Sequence, residues 1–356
     1  MFLRNAWYVA AWDHEVTADK PFGRMILNEP LVLYRKRDGG VVALEDRCCH
    51  RHYPLHKGTV VNDCLECYYH GFTYEGSGKC VRVPGQDVVP QAARVRSYPV
   101  AERHRWIWVW MGDPSLADES KITDFHWMDD PGWRAKGAVY HVKGGYELVI
   151  ENLLDLTHLS FVHKSTIGNY ATAEKAEVKT LRTDNDVTVA RWIIDAPAPP
   201  TYVKAGGFKG NVDRWQFINF TPPCFVRLDV GALDTGKGAA EKKTGAFSAE
   251  GELSGGIEMR NLNAITPETE KSCHYFWAQA HNFLLEQPQV TEMLFQQIDL
   301  AFRQDWEVFE TQQRWIDIDP AAPRIDVNGD AGQIQGIRLL RRKIAEEAAA
   351  ATPRPA

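Results

Sequence analysis

The stretch DRCCHRHYPLHKG, residues 46–58, places two adjacent cysteines and three histidines within a few positions, and CLECYYHG follows at 64–71. Together they offer Cys48-x-His50 and Cys67-x-x-His70, two loops that each present one thiolate and one imidazole. Two sulfurs and two ring nitrogens can hold one zinc ion, or a [2Fe–2S] cluster with both cysteines on one iron and both histidines on the other. The residues beyond each histidine (Arg51, Pro54, Leu55 and Gly71) suit tight turns around an inorganic core, and PGQ at 84–86 supplies a third, proline-bearing loop. These features favour the cluster, with a single zinc as the rival. Cys49, Cys64 and Cys80 read as small apolar residues, the usual lot of a free cysteine.

A second set lies in ENLLDLTHLSFVH, residues 151–163. One histidine on an apolar helical run is more often a core residue with a satisfied ring than a ligand, but His158 and His163 together are harder to assign to packing. They stand five residues apart, not the four of a regular helix, so sharing a metal requires a bulge or a helix end between them. Asp155, three positions before His158, is placed to accept its ring N–H and orient it. Two neutral imidazoles and a carboxylate make the facial triad of a non-haem Fe(II) oxygenase, with positions left for dioxygen. The carboxylate must come from elsewhere. Asp299 and Asp305 on a late helix are the candidates, although periodicity alone fits Asp305 equally well to a solvated helix face.

The elements that must position these groups fall into two regions. From 24 to 110, short runs of β-branched and aromatic residues such as RMILNEPLVLYRK and RWIWVWMGDP end in Gly, Pro or Asp, the pattern of a small all-β unit. GDPSLADES, at 112–120, marks the boundary, giving expected domains of 1–118 and 119–356. The second region passes from strand-like alternation to a helical run near Tyr146, then to strands around 187–194, 213–220, 224–233, 256–266 and 273–283. A long helix is expected from Pro288 to Ile316, where apolar residues recur at three- and four-residue steps, and a shorter one from Gly336 onward, ending in a fraying tail. The Gly-, Ala- and Lys-rich stretch 235–256 reads as a loop or hairpin excursion. The expected fold is α+β: an all-β N-terminal domain, then an antiparallel sheet packed on a long helix in a helix-grip-like arrangement.

Bulk properties remove several function classes. At 356 residues the chain can fill two or three cores, and its net charge of −6 with no basic block argues against nucleic-acid binding. The apolar N-terminal patch is interrupted by Arg4, Asn5, Asp13 and His14, so neither a signal peptide nor a membrane span is expected and the location should be cytoplasmic. Seven cysteines, five of them between 48 and 80, point to metal ligation in a reducing compartment before disulfides.

The pattern C-x-H-R-x-x-P-L with C-x-x-H-G resembles that of Rieske iron–sulfur domains, and N-x-x-D-x-x-H-x4-H, here NLLDLTHLSFVH, resembles the mononuclear iron motif of Rieske non-haem iron oxygenases. The likeness extends over nearly the whole chain through RNAWYVAAW, IWVWMGDP, WQFINFTPP, ITPET and YFWAQAHNF. It is similar to the branch acting on vanillate, toluenesulfonate and dicamba, and not to the larger two-subunit ring dioxygenases. The resemblance implies Cys48, His50, Cys67 and His70 as cluster ligands, His158, His163 and Asp305 as ligands of a mononuclear Fe(II), Asn152 as a nearby polar residue, and Asp155 as the carboxylate bridging the two centres. Within one chain the centres would lie too far apart for that bridge, so the family's head-to-tail homotrimer is implied, with electrons passing through His70, Asp155 and His158.

Nothing in the chain resembles a flavin or nicotinamide site; Gly76-Ser-Gly78 is too short for a Rossmann fingerprint. Electrons are therefore expected from a separate NADH-dependent reductase of flavin or ferredoxin type. The resemblance implies dioxygen and an aromatic acid as substrates, with a methoxy or methyl carbon hydroxylated and O-demethylation favoured. Trp215, Phe217, Asn263, Trp277 and His281, on predicted strands, are the residues that could face the iron, with ordinary strand packing the plainer reading of each. Two rival classes remain: a Rieske electron carrier with two irons per chain, and a zinc domain without a chromophore.

Overall fold

The computed structural model describes residues 1–238 and 256–351. The excursion expected at 235–256 lies almost wholly outside the described residues, as does the tail after 351. Two compact units divide the chain: Met1–Ile122 with Thr266–Thr269, and Thr123–Ile265 with Glu270–Ala356. The division thus falls four residues past the expected 118, after a 3-10 turn at Glu119–Lys121.

The first unit is all-β, with three small antiparallel sheets. In one, Trp7–Trp12 pairs with Trp106–Trp110 so that Trp7 opposes Trp110 and Trp12 opposes Trp106. Each pair meets edge to face, at 5.7 and 5.5 Å between ring centroids, the geometry that the quadrupoles of stacked π-systems prefer. A second sheet joins Phe22–Ile26, Glu29–Arg35, Val41–Glu45 and Ser97–Tyr98. The third is built of very short strands, Thr59–Val61, Cys64–Glu66, Thr73–Tyr74 and Cys80–Arg82, and its connections carry the Cys/His loops.

The second unit is a seven-stranded antiparallel sheet. Its spatial order is Arg134–Val142, Ser272–His281, Ile257–Thr269, Phe225–Asp234, Asn211–Thr221, Val187–Pro197 and Glu177–Arg182. The last four residues of Ile257–Thr269 belong to the first unit, where Thr266 Oγ1 donates to the Val9 carbonyl at 2.7 Å. The long helix runs from Pro288 to Ile318. Its proline sits in the first turn, where no backbone N–H is required. Leu294, Ile298, Ala301, Phe302, Asp305 and Phe309 form its buried stripe, packed on strands Arg134–Val142 and Ser272–His281. Asp305 thus lies on the inward face, and the solvated-charge reading does not hold.

The C-terminal helix spans Ala331–Ala351, starting five residues before the expected Gly336, and packs against the helix Tyr146–Leu154. Gly336 permits this approach, since a Cβ there would stand 2.6 Å from Leu154 Cδ1, and Gly332 lets the same helix lie on the strand Val187–Pro197, where a Cβ would stand 2.3 Å from Val189 Cγ2. Among the described residues, no helix is long and apolar enough to cross a membrane.

Candidate metal centres and the buried cavity

The two Cys/His loops have the same backbone design. Cys48 N–H donates to the Tyr53 carbonyl at 3.0 Å and Cys67 N–H to the Phe72 carbonyl at 2.8 Å, each reaching five residues ahead. In return, His52 N–H and Gly71 N–H donate to the carbonyls of Cys48 and Cys67, both at 2.9 Å. The residue four past each cysteine takes the left-handed conformation, φ +56° at His52 and +68° at Gly71. At Gly71 a Cβ would also stand 2.9 Å from Pro84 Cγ, so the PGQ loop closes directly over this turn.

The loops bring both thiols and both rings together. Cys48 and Cys67 are buried, unbridged and within hydrogen-bond reach of each other. The rings of His50 and His70 meet edge to face at 4.5 Å, and His50 stacks on Phe72 at 4.7 Å. Burial pushes the Cys67 thiol up, a cost that coordination to a cation would remove. His50 Nδ1 is buried with no hydrogen-bond partner. A buried ring nitrogen left unpaired in this way is what a metal ligand requires, so the residues present fit a [2Fe–2S] group.

Their neighbours have other work. Tyr74 Oη lies 3.1 Å from both Cys48 Sγ and Cys49 Sγ. Cys80 Sγ bonds the Arg82 carbonyl at 3.3 Å, and His56 is held by the Asp46 carboxylate, which also accepts its backbone N–H at 2.7 Å. Cys80 is buried, whereas Cys49 and Cys64 are half-buried.

In the second unit, the helix Tyr146–Leu154 ends at Asp155, the carboxylate of which caps the following 3-10 turn Leu156–Ser160 by accepting from Thr157 N. His158 sits in that turn and His163 just beyond it, so a helix end supplies the irregularity that their spacing demands. Asp305 arrives from the long helix, and its carboxylate oxygen and one ring nitrogen of each histidine all lie within 4.8 Å of one another. His163 Nε2 is 3.1 Å from both Asp305 oxygens and His158 Nε2 is 3.6 Å from one. Asn152 Nδ2 donates to Asp305 at 3.4 Å. Asp299, the other candidate, bonds Tyr140 and Arg303 and takes no part.

Both rings are oriented through the opposite nitrogen. His163 Nδ1–H donates to Gln304 Oε1 at 2.8 Å, and His158 Nδ1–H to the backbone carbonyl of Asp155 at 2.7 Å. Each Nε2 is thereby left as a free donor pair. Two points differ from the sequence reading. Asp155 orients His158 through its carbonyl, its carboxylate being used by Thr157 N and Oγ1, both at 2.9 Å. The sequence does not single out Gln304, because nothing in its spacing separates it from the other polar residues of a helix surface. Burial holds the His158 imidazole below its ordinary value against the pull of Asp305, which favours the neutral ring a metal needs. The donor set of two imidazoles and one carboxylate, with donors converging, fits a mononuclear iron.

These groups line a cavity that opens to solvent on one side, with an empty volume of about 610 Å³ that includes its open mouth. Leu153, Leu156, Leu159, Ile298 and Phe302 give it apolar walls. Its floor is one face of the sheet, where Gln216 opposes Val230, which opposes Met259, and Leu228 opposes Asn261. The polar lining comes from Arg214, Gln216, Asn261, Gln279 and Thr201.

None of the five strand residues expected at the iron lines this cavity. Trp215 and Phe217 alternate with Arg214 and Gln216, so a strand that turns the latter inward turns the former to the other face, where they pack with Ala190, Leu233 and Trp192. Trp277 lies under the long helix, stacked on Phe295 at 5.3 Å. His281 bonds Thr291 Oγ1 and the Phe283 carbonyl, both at 2.8 Å. Asn263 is behind the lining: it donates to Asn261 Oδ1 at 2.9 Å and accepts from Tyr275 at 2.8 Å.

Comparison with known proteins agrees with a two-centre enzyme of this kind. Residues 6–99 match the Rieske [2Fe-2S] domain, and residues 142–346 match the vanillate O-demethylase oxygenase C-terminal domain. The chain belongs to this family of Rieske non-haem iron oxygenases. It is 40% identical to a toluene-4-sulfonate monooxygenase system iron-sulfur subunit of Comamonas testosteroni, over 99% of this chain and 100% of that one. It is 39% identical to the vanillate O-demethylase oxygenase subunit of Pseudomonas sp. (strain HR199 / DSM 7063), over 99% and 97%. Among solved structures, dicamba monooxygenase bound to dicamba superposes with a TM-score of 0.86 at 33% identity, covering 98% of this chain and 99% of that one. Another crystal structure of dicamba monooxygenase contains non-haem iron and dicamba, with a TM-score of 0.81 at 32% identity over 98% and 99%.

Proposed function

We propose that the protein is the terminal oxygenase of a multicomponent system, hydroxylating a methoxy or methyl carbon of an aromatic acid with dioxygen and electrons from a separate NADH-dependent reductase. In this reading Cys48, His50, Cys67 and His70 hold the cluster, and His158, His163 and Asp305 hold the iron. The observation that carries it is the convergence of those last three side chains on a largely apolar cavity. When bound, the cluster supplies a one-electron store and the iron a centre for dioxygen activation. The chain's own groups do the rest: Gln304 and the Asp155 carbonyl fix the two imidazoles, Asn152 steadies Asp305, and the leucine walls exclude water. A head-to-tail homotrimer in the cytoplasm, with Asp155 bridging to a neighbour's cluster, completes the reading.

O-demethylation of a vanillate-like acid is favoured, supported by the match of residues 142–346 to the vanillate O-demethylase oxygenase C-terminal domain; an O-methyl group once hydroxylated collapses to a phenol and formaldehyde. Methyl hydroxylation of an aromatic sulfonate is the second reading, supported by the 40% identity to the toluenesulfonate subunit. The test is incubation of iron-replete protein with a surrogate reductase, NADH and dioxygen, offering vanillate and 4-toluenesulfonate in parallel. Formaldehyde with a catechol establishes demethylation; a benzylic alcohol without formaldehyde moves the assignment to methyl hydroxylation. Two irons per chain and no dioxygen consumption would overturn the oxygenase reading.

A further inference from the structure

Among the described residues, nothing pairs one cation of the cavity. Arg214 is 1% exposed, yet its Nε and Nη1 have no hydrogen-bond partner and its Nη2 reaches only the Ile167 carbonyl, at 3.5 Å. Among the described residues no carboxylate forms an ion pair with it. The neighbouring Asp213 faces elsewhere, accepting from Asp195 N at 2.9 Å and Gly236 N at 2.8 Å. The Tyr202 ring, 4.6 Å from the guanidinium carbon, holds the group in place without neutralising it. Its charge is felt nearby: burial, opposed by Asp155 and then reinforced by Arg214, brings the Arg191 guanidinium down to about 10.

Burying a guanidinium with unused N–H groups is costly unless something supplies acceptors. Two residues along the same strand, and therefore on the same face, Gln216 is 2% exposed, and its amide N–H groups are the donors it can add beside the guanidinium. Both side chains line the cavity. A planar fork beside an amide N–H donor, in a pocket whose walls are largely apolar, is built for an oxyanion on a flat hydrophobic body.

We infer that Arg214, assisted by Gln216, anchors the carboxylate or sulfonate of the aromatic substrate and so makes this cavity selective for aromatic acids over their neutral analogues. The inference rests on the oxygenase reading for its context but not for its test. Calorimetric titration of the iron-replete full chain uses four probes: 4-methylbenzoate, 4-toluenesulfonate, and the matching uncharged amide and sulfonamide. Both acids should bind more tightly than their neutral partners by about 10- to 100-fold, the range for hydrogen bonds to a charged group. In Arg214→Gln the acids should weaken by that factor while the amide binds as before, which shows the cavity intact. Arg214→Lys, a point charge without the fork, should fall between the two. A larger effect on one acid than the other identifies which oxyanion the site is shaped for.

Acid binding in Arg214→Gln within twofold of the unsubstituted protein overturns the inference, as does equal affinity for acid and amide or no binding of either acid. Should the neutral probes alone bind while dioxygen is consumed with three irons per chain, the anchor falls and the oxygenase reading stands. Should the acids bind through Arg214 in a chain holding two irons and consuming no dioxygen, the reverse follows.

Discussion

Replacing Gln304 with leucine isolates a residue that touches neither metal nor substrate directly. His163 is 0% exposed, and its Nδ1–H is held by Gln304 Oε1 at 2.8 Å. Leucine keeps the bulk but removes the acceptor. A buried donor left unsatisfied costs about 1–3 kcal/mol. That penalty applies when Nε2 is committed to a metal, because the ring can then no longer rotate to seek another partner. At about 1.4 kcal/mol per tenfold, the mononuclear metal should bind roughly 5- to 150-fold more weakly, in line with the 10- to 100-fold seen when ring-orienting groups are lost elsewhere. The assay is iron content per chain after dialysis against graded chelator, with the visible spectrum of the cluster as an internal reference in the same molecule. Gln304→Glu, which keeps an acceptor, should retain the metal. If Gln304→Leu keeps its third iron against the same chelator concentration as the unsubstituted chain, the hydrogen bond does not position His163.

Asp305→Ala should lower the iron count from about three to about two per chain with the cluster spectrum unchanged; loss of the cluster as well would refute the independence of the two centres. Asp155→Asn keeps an oxygen to cap the 3-10 turn at Thr157, so both metals should remain while NADH-driven turnover collapses, and full turnover would sink the electron relay. Gly168→Ala would place a Cβ 1.9 Å from the Leu159 carbonyl oxygen. The loop bearing His163 must then open, and both melting temperature and third-iron retention should drop. Burial pushes the Glu151 carboxyl up, against the opposing effect of Arg324. An acid with a raised folded-state value is fully compatible with folding when protonated and loses stability as pH rises through that value. Glu151→Gln should therefore raise the melting temperature more at pH 7 than at pH 4, and a gain confined to pH 4 would contradict this sign.

Much of the site was legible because its residues sit close together in the chain. Cys48, His50, Cys67 and His70 come from two loops of one small sheet, and His158 and His163 from one turn, so local spacing carries the information. The irregularity their spacing required is present as the end of the 3-10 turn Leu156–Ser160, which falls between them. Residues that depend on distant partners were harder. The helical period alone left Asp305 undecided, since the stripe shared by Ile298, Phe302 and Phe309 becomes a buried face only when the sheet is packed against it.

Along the strands, the choice of face decided the outcome. Asn211–Thr221 is buried on both sides, and nearly every residue from Val212 to Phe220 has the same lack of exposure. Burial therefore gives no alternation from which to tell the cavity side, and the aromatic pair Trp215 and Phe217 was the natural choice for a flat ligand. The fold turns the polar pair Arg214 and Gln216 inward, because the aromatics fill the opposite face with Ala190, Leu233 and Trp192. By itself the sequence determined the fold class and singled out the side chains that the structure gathers at the two candidate centres, since these follow from residue type and short-range spacing. Only the tertiary structure decided the cavity's lining, the acceptor behind His163 and the cation at Arg214 that no described carboxylate pairs, since each depends on which faces of elements far apart in the chain meet.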